Sequence, residues 1–140
     1  GSVSTSPLEV ASMMATLARR GEWIEPSILV DDEPALRRHD VRVSEASWDR
    51  LARAMAAVAR HYDPVGAEEV DLGGKTGTAD GFAGTRWREH NQAWFAGVFP
   101  VSAPRYAFAV TAVRTRWRGK NLVPFSTELA RLVLESEASR

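Results

Sequence analysis

The chain has 140 residues, of which 44% belong to the hydrophobic set and 26% are charged. This composition is typical of an ordinary globular protein and excludes the disordered and fibrous classes. The 18 basic and 18 acidic side chains cancel, so we expect no strong binding to nucleic acid or to an anionic membrane. At this length the chain can bury one core, which predicts a single domain or part of one.

The sequence also limits the chemistry that is available. Cysteine is absent, which excludes disulfides, thiolate metal sites and cysteine nucleophiles. The three histidines, His39, His61 and His90, have no ligand-like spacing to carboxylates, so we expect no metal site and no cofactor. Because no apolar run approaches the roughly 20 residues that span a bilayer, we expect no membrane contact from this segment.

The first predicted element is a helix. Ser6-Pro7-Leu8-Glu9 forms a capping box with Pro at the first helical position, and Gly21 supplies a left-handed stop. The apolar residues expected to share one face of this helix are Leu8, Ala11, Ala15 and Ala18. We then predict an extended segment from Trp23 to Val30 and a solvated loop from Asp31 to Arg42.

A second helix is predicted from Ser44 to Tyr62. Its apolar residues recur at intervals of three and four, which indicates one buried face; they are Trp48, Leu51, Met55, Val58 and Tyr62. Asp63 to Gly66 should end the helix, and we expect extended chain from Glu68 to Ala79.

The second half of the chain predicts a hairpin and a final helix. Gln92 to Phe99 and Tyr106 to Val113 are apolar strands joined by a short connection, so they should pair antiparallel. Pro124 and Ser126 should begin the last helix, whose predicted inward-facing residues are Leu129, Leu132 and Val133. The expected class is α+β, an antiparallel sheet of about three main strands flanked by N-terminal, middle and C-terminal helices.

Among the predicted elements, only the segment Lys75-Thr76-Gly77-Thr78 has a pattern that indicates a binding or catalytic site. A phosphate-binding P-loop is excluded, because that motif needs a glycine where this chain has Glu69 and a helix directly after its lysine. On a strand, Lys75 and Gly77 would face one side and the two threonines the other. Gly77 would leave room for another backbone to approach closely.

Lys75 to Ala79 resembles the third motif of the penicillin-binding protein transpeptidases. The surroundings agree in order and spacing: Ser6 to Ala11 resembles a late helix of that family, and Asn91 to Gly97 resembles the next strand. Pro104 to Val110 resembles the strand after that. The resemblance implies part of a β-lactamase/transpeptidase-like fold.

The two earlier motifs of that family, Ser-x-x-Lys and Ser-x-Asn, are absent from these residues. Leu72 and Trp117 stand three residues before the two lysines, and none of the eleven serines is followed two residues later by Asn. Residues 1–140 therefore resemble the C-terminal portion of one transpeptidase domain, with the N-terminal half of that domain as the implied partner. We expect this chain alone to be inactive.

The resemblance implies a role for each retained motif residue. Lys75 would stabilise anionic groups with its charge, and the backbone N–H of Thr78 would be one donor of an oxyanion hole. Thr76, Gly77 and Thr78 would bind substrate, the two hydroxyls through its terminal carboxylate, while the strand edge pairs with the peptide. In the loop from Asp80 to Asn91, Arg86 and Arg88 are further candidates for binding acidic groups of the peptide.

The implied parent is a D,D-transpeptidase that crosslinks peptidoglycan through an acyl-serine intermediate. Its ligands would be stem peptides ending in D-Ala-D-Ala and β-lactams, and it would be anchored to the membrane and extracytoplasmic. The alternative is a non-catalytic penicillin-binding or sensor module that lacks the nucleophile. The sequence upstream of residue 1 would distinguish the two.

Two other features have competing interpretations. The basic segment from Arg114 to Lys120 surrounds a Trp and could bind a nucleic-acid backbone. If the strand continued, however, Arg114, Arg116 and Arg118 would share one face, which favours a charged sheet edge and no nucleic acid. The aromatic pair Trp94 and Phe95 is predicted to be core, as aromatics on apolar strands usually are.

Overall fold

The computed structural model describes residues 5–27, 37–42, 44–79 and 90–139. The predicted α+β class is confirmed. In chain order the elements are α1 (Pro7–Ala18), β1 (Glu22–Ile24), β2 (Arg38–Asp40), α2 (Glu45–Tyr62), α3 (Pro64–Glu69), β3 (Gly73–Ala79), β4 (Asn91–Phe99), β5 (Tyr106–Thr115), a 3-10 turn (Gly119–Asn121) and α4 (Leu122–Ala138). None of the helices in the described ranges combines the length and the apolarity needed to cross a membrane.

A three-stranded antiparallel sheet, ordered β3-β4-β5, organises the fold. The predicted hairpin of β4 and β5 is confirmed. The two faces of β4 enter different core clusters: Phe95 and Phe99 pack with residues of α2, α3 and α4, whereas Val98 packs with residues of α1 and α2. Because helices cover both faces, the central strand is buried along most of its length.

Both predicted ends of α1 are confirmed. Ser6 and Glu9 form the capping box, and Gly21 takes a left-handed φ of 104°. The backbone N–H of Ser6 donates to the Glu9 carboxylate at 2.6 Å, which holds the pKa of Glu9 below its usual range. Because a lowered carboxyl pKa favours the folded state only while the group is ionised, this contribution is present at neutral pH and lost in acid.

The buried faces of the two long N-terminal helices agree only in part with the predicted ones. In α1, the predicted Ala18 packs against the core together with Met14 and Leu17, while the predicted Leu8 is 61% exposed. In α2 the predicted Trp48 and Met55 are buried, whereas the predicted Leu51 and Tyr62 are exposed. The other buried residues of this helix are Ala52, Ala56 and Ala59. The small alanine side chains allow α2 to pack closely against β3: a Cβ on Gly73 of β3 would lie 3.3 Å from the Ala56 nitrogen.

Two segments have a different secondary structure from the predicted one. Residues 64–69 form the short helix α3, because Pro64 suits a first helical position and the Asp63 carboxylate accepts the N–H of Gly66 at 3.2 Å. Arg38–Asp40, predicted as loop, pairs antiparallel with β1. Residues 28–36, where the predicted extended segment ends and the predicted loop begins, lie outside the described residues.

The last helix begins earlier and presents another face than predicted. It starts at Leu122, so Pro124 lies in the first turn, where its missing N–H costs no helical hydrogen bond. Val123, Thr127 and Ala130 are buried, whereas Leu129 and Leu132 are 41% and 55% exposed. Val133 is half-buried against the core, so the predicted inward face was wrong for the two leucines.

Candidate functional site

The residues of the Lys-Thr-Gly-Thr motif lie on β3, as predicted, and β3 is an edge strand of the sheet. Its N-terminal part is buried: a Cβ on Gly97 of β4 would lie 1.9 Å from the Gly73 carbonyl oxygen, so the two strands meet at glycines. From Lys75 onward the strand emerges toward solvent. Within the described residues its outer edge has no strand partner, so it can accept an extended chain.

The Lys75 side chain is exposed and makes a local contact. Its Nζ donates to the Thr76 carbonyl oxygen at 2.7 Å. No carboxylate among the described residues lies within ion-pairing distance of this ammonium group. Since an ammonium group has three N–H donors, this single hydrogen bond with the described part of the chain leaves two donors for an anionic ligand.

Thr78 contacts a part of the chain that the sequence did not connect with it. The backbone N–H of Gly119 donates to the Thr78 Oγ1 at 3.1 Å. A Cβ on Gly119 would lie 2.5 Å from the carbonyl oxygens of both Gly77 and Trp94. The 3-10 turn of Gly119 therefore rests directly on the backbone of β3 and β4. Its only signal in the sequence is a single glycine among basic residues.

The basic segment does not form the charged sheet edge that was predicted. Arg114 has a left-handed φ of 52°, and β5 ends at Thr115, so the alternation that would place three arginines on one face is broken. The chain then crosses the strand ends, where the Asn91 side-chain amide donates to the Trp117 carbonyl at 3.3 Å. The basic segment thus leads the chain from the end of β5 to the C-terminal end of β3.

This end of the sheet carries an excess of positive charge. From residue 114 to residue 126, which covers the C-terminal end of β5 and the part of the chain that follows it, the sequence has four basic residues and no acidic one, although the whole chain is neutral. Arg118 and Lys120 are exposed and flank Gly119. Anionic ligands near the end of β3 would therefore meet a favourable field.

The remaining residues singled out in the sequence were two aromatic residues of β4 and two arginines of the loop after β3. Phe95 is fully buried, as predicted, but Trp94 is only half-buried. Arg86 and Arg88 lie outside the described residues. Within the described ranges, no three His, Asp or Glu side chains converge as a metal ion would require.

The helix-covered antiparallel sheet, with Lys75 and Thr78 on its edge strand, has the architecture of the transpeptidases that the sequence resembles. A family model described as the penicillin binding protein transpeptidase domain matches residues 1–130. The chain therefore belongs to the penicillin-binding protein transpeptidase family, and the resemblance is confirmed.

Solved structures agree with this assignment. The chain is similar to PBPA from Mycobacterium tuberculosis, with a TM-score of 0.67 and 25% identity over 94% of this chain and 33% of that one. A structure of penicillin-binding protein A from M. tuberculosis as an imipenem acyl-enzyme complex gives a TM-score of 0.67 at 24% identity, covering 94% of this chain and 32% of that one. The chain thus spans about a third of these structures. A comparison with curated proteins finds no match.

Proposed function

We propose that residues 1–140 are the C-terminal portion of a D,D-transpeptidase domain that crosslinks peptidoglycan through an acyl-serine intermediate. The observation that carries this proposal is the open edge of β3, on which Lys75 lacks an ion-pair partner among the described residues and Thr78 is exposed. A strand edge of this kind can bind an extended peptide by main-chain hydrogen bonds.

In this proposal each motif residue has a distinct task. The ammonium group of Lys75 stabilises negative charge on the substrate and on the transition state, and the backbone N–H of Thr78 donates to the developing oxyanion. The hydroxyls of Thr76 and Thr78 bind the terminal carboxylate of a stem peptide that ends in D-Ala-D-Ala. The half-buried Gly77 allows the peptide backbone to approach the strand.

The nucleophile would come from the N-terminal half of the same domain. A serine oxygen attacks the penultimate D-Ala carbonyl, the terminal D-Ala leaves as its amine, and an amine of a second stem peptide then displaces the serine. A β-lactam enters the same site and acylates the same serine. The imipenem acyl-enzyme described for the M. tuberculosis protein supports this ligand class.

The substrate also bears on location. Since peptidoglycan lies outside the cytoplasmic membrane, we place the parent protein there, anchored to the membrane by sequence other than these residues. The arginines Arg86 and Arg88 remain candidates for contacts with acidic groups of the stem peptide.

Two surfaces support the proposal that the other half of the domain packs against this chain. The outer edge of β5 has no strand partner within the described residues, and most of the strand is only half-buried. On α4, Phe125, Leu129 and Leu132 form an exposed apolar stripe at helical spacing. Exposed edges and apolar stripes of this kind usually have a partner.

We therefore predict that the 140-residue chain self-associates and binds a hydrophobic dye. Phe125→Glu should reduce both effects, because it places a charge in the apolar stripe. Met13→Glu is the matched control, since Met13 is similarly exposed but lies on α1. Analytical ultracentrifugation and dye fluorescence measure the outcome. A chain that stays monomeric at high concentration and does not increase the fluorescence of the dye contradicts the proposed packing.

The function itself is tested with a fluorescent penicillin. The full-length protein should carry a covalent label after denaturation, whereas the 140-residue chain should carry none, because it has no serine of the nucleophile motif. A label on the isolated chain would overturn the assignment of the nucleophile to the N-terminal half. A full-length protein that binds penicillin without acylation would instead be the non-catalytic sensor module.

A further inference from the structure

We propose that Gly119 is a positioning residue: its backbone N–H fixes the Thr78 hydroxyl so that this hydroxyl donates a hydrogen bond to a carboxylate ligand. The inference rests on the proposed function, since it takes the end of β3 as the ligand site. It adds a residue 41 positions away in the sequence, on a turn outside the Lys-Thr-Gly-Thr motif.

The geometry requires glycine at this position. The Gly119 nitrogen lies 3.1 Å from the Thr78 Oγ1. A Cβ there would lie 2.5 Å from the Gly77 and Trp94 carbonyl oxygens and 2.8 Å from the Gly77 nitrogen. These are backbone atoms of two paired strands, which cannot give way as the end of a flexible side chain can. Any larger residue would lift the turn and lengthen its hydrogen bond to Thr78.

The turn is held in place from both sides. On the side of β5, the Asn91 amide donates to the Trp117 carbonyl at 3.3 Å. Within the turn, the Arg118 N–H donates to the Asn121 Oδ1 at 2.9 Å. On the other side Leu122, the first residue of α4, is buried in the core. The Gly119 N–H is thus presented to Thr78 by anchored chain.

The hydrogen bond determines what the hydroxyl can offer. A threonine hydroxyl has one O–H donor and two acceptor positions, and here Gly119 occupies one acceptor position. A hydroxyl that accepts one hydrogen bond becomes a better donor in the next, because the bonds polarise each other. The hydroxyl is therefore prepared to donate to an anion, and the positive charges of Arg118 and Lys120 beside Gly119 favour the same class of ligand.

The test uses the full-length protein and two probes, a β-lactam with a free carboxylate and the methyl ester of that β-lactam. Thr78→Val should weaken binding of the acid about tenfold before acylation, because a hydrogen bond to a charged group is lost, and change ester binding little. Gly119→Ala should have the same selective effect. The double variant should be no worse than either single variant, since both changes remove one interaction.

Gly66→Ala is the control for simple crowding. A Cβ on Gly66 would lie 2.6 Å from the Thr127 Cγ2, a buried contact that does not involve β3. This variant should lower the melting temperature without changing the ratio of acid to ester binding. If Gly119→Ala weakens both probes equally, or multiplies the effect of Thr78→Val, Gly119 is only structural and the inference is overturned.

Hydrogen exchange separates a failure of this inference from a failure of the proposed function. The Gly119 amide should be protected in the wild type and in Thr78→Ser, which keeps the hydroxyl, and should exchange faster in Thr78→Val. This measurement needs no acylation. Fast exchange in the wild type overturns the inference, whereas protection in a protein that neither probe binds overturns the proposed function alone.

Discussion

Replacement of Lys75 by Met in the full-length protein should lower the rate constant of acylation by a β-lactam about 100- to 1000-fold, the loss expected when one preorganised group that stabilises transition-state charge is removed. Met keeps the volume of the apolar stem and removes the ammonium group. Because Lys75 is exposed and, within the described residues, its side chain hydrogen-bonds only to the neighbouring Thr76 carbonyl, folding should hardly change. Stopped-flow acylation kinetics and thermal unfolding measure the two effects separately.

Arg53→Met is the matched control for loss of one positive charge. Arg53 is exposed on α2 and has no role in the proposed site. Its replacement should leave acylation within about twofold, since distant surface charges are screened by salt. Equal losses in the two variants would mean that the Lys75 charge acts only through the general field of the protein.

The sequence predicted those elements whose causes are local. The cap at Ser6 and Glu9 and the alternating strands β4 and β5 depend on neighbouring residues, so their positions were confirmed. The buried faces of the helices depend on tertiary contacts. Periodicity alone favoured large residues such as Leu51, whereas the sheet accepts the alanines of α2 because β3 presents glycine to them.

The same distinction between local and tertiary causes applies to the candidate site. The motif on β3 could be found from four consecutive residues and their setting. The contact between Gly119 and Thr78 could not, because it joins residues 41 positions apart and depends on where β5 ends. The predicted charged edge required β5 to continue with regular alternation through the arginines, but Arg114 adopts a left-handed backbone conformation that no hydrophobic pattern indicates.

The second large effect concerns the main chain of β3. Thr78→Pro should lower acylation of the full-length protein by roughly 100- to 1000-fold or more, because proline removes the backbone N–H that we propose as an oxyanion donor. Thr78→Ala keeps this N–H and loses only the hydroxyl, so its loss should be much smaller and should fall on binding of the carboxylate. Penicillin acylation kinetics distinguish the two variants.

Proline also damages strands, so a neighbouring substitution is needed to separate catalysis from folding. N–H groups of successive strand residues point to opposite edges, which means that Ala79 would direct its N–H toward β4 if Thr78 faces the substrate. Ala79→Pro should therefore lower the melting temperature through a lost ladder bond while retaining most of the acylation rate. If Ala79→Pro abolishes acylation as completely as Thr78→Pro, the integrity of the strand is responsible, and Thr78 loses its assignment as the oxyanion donor.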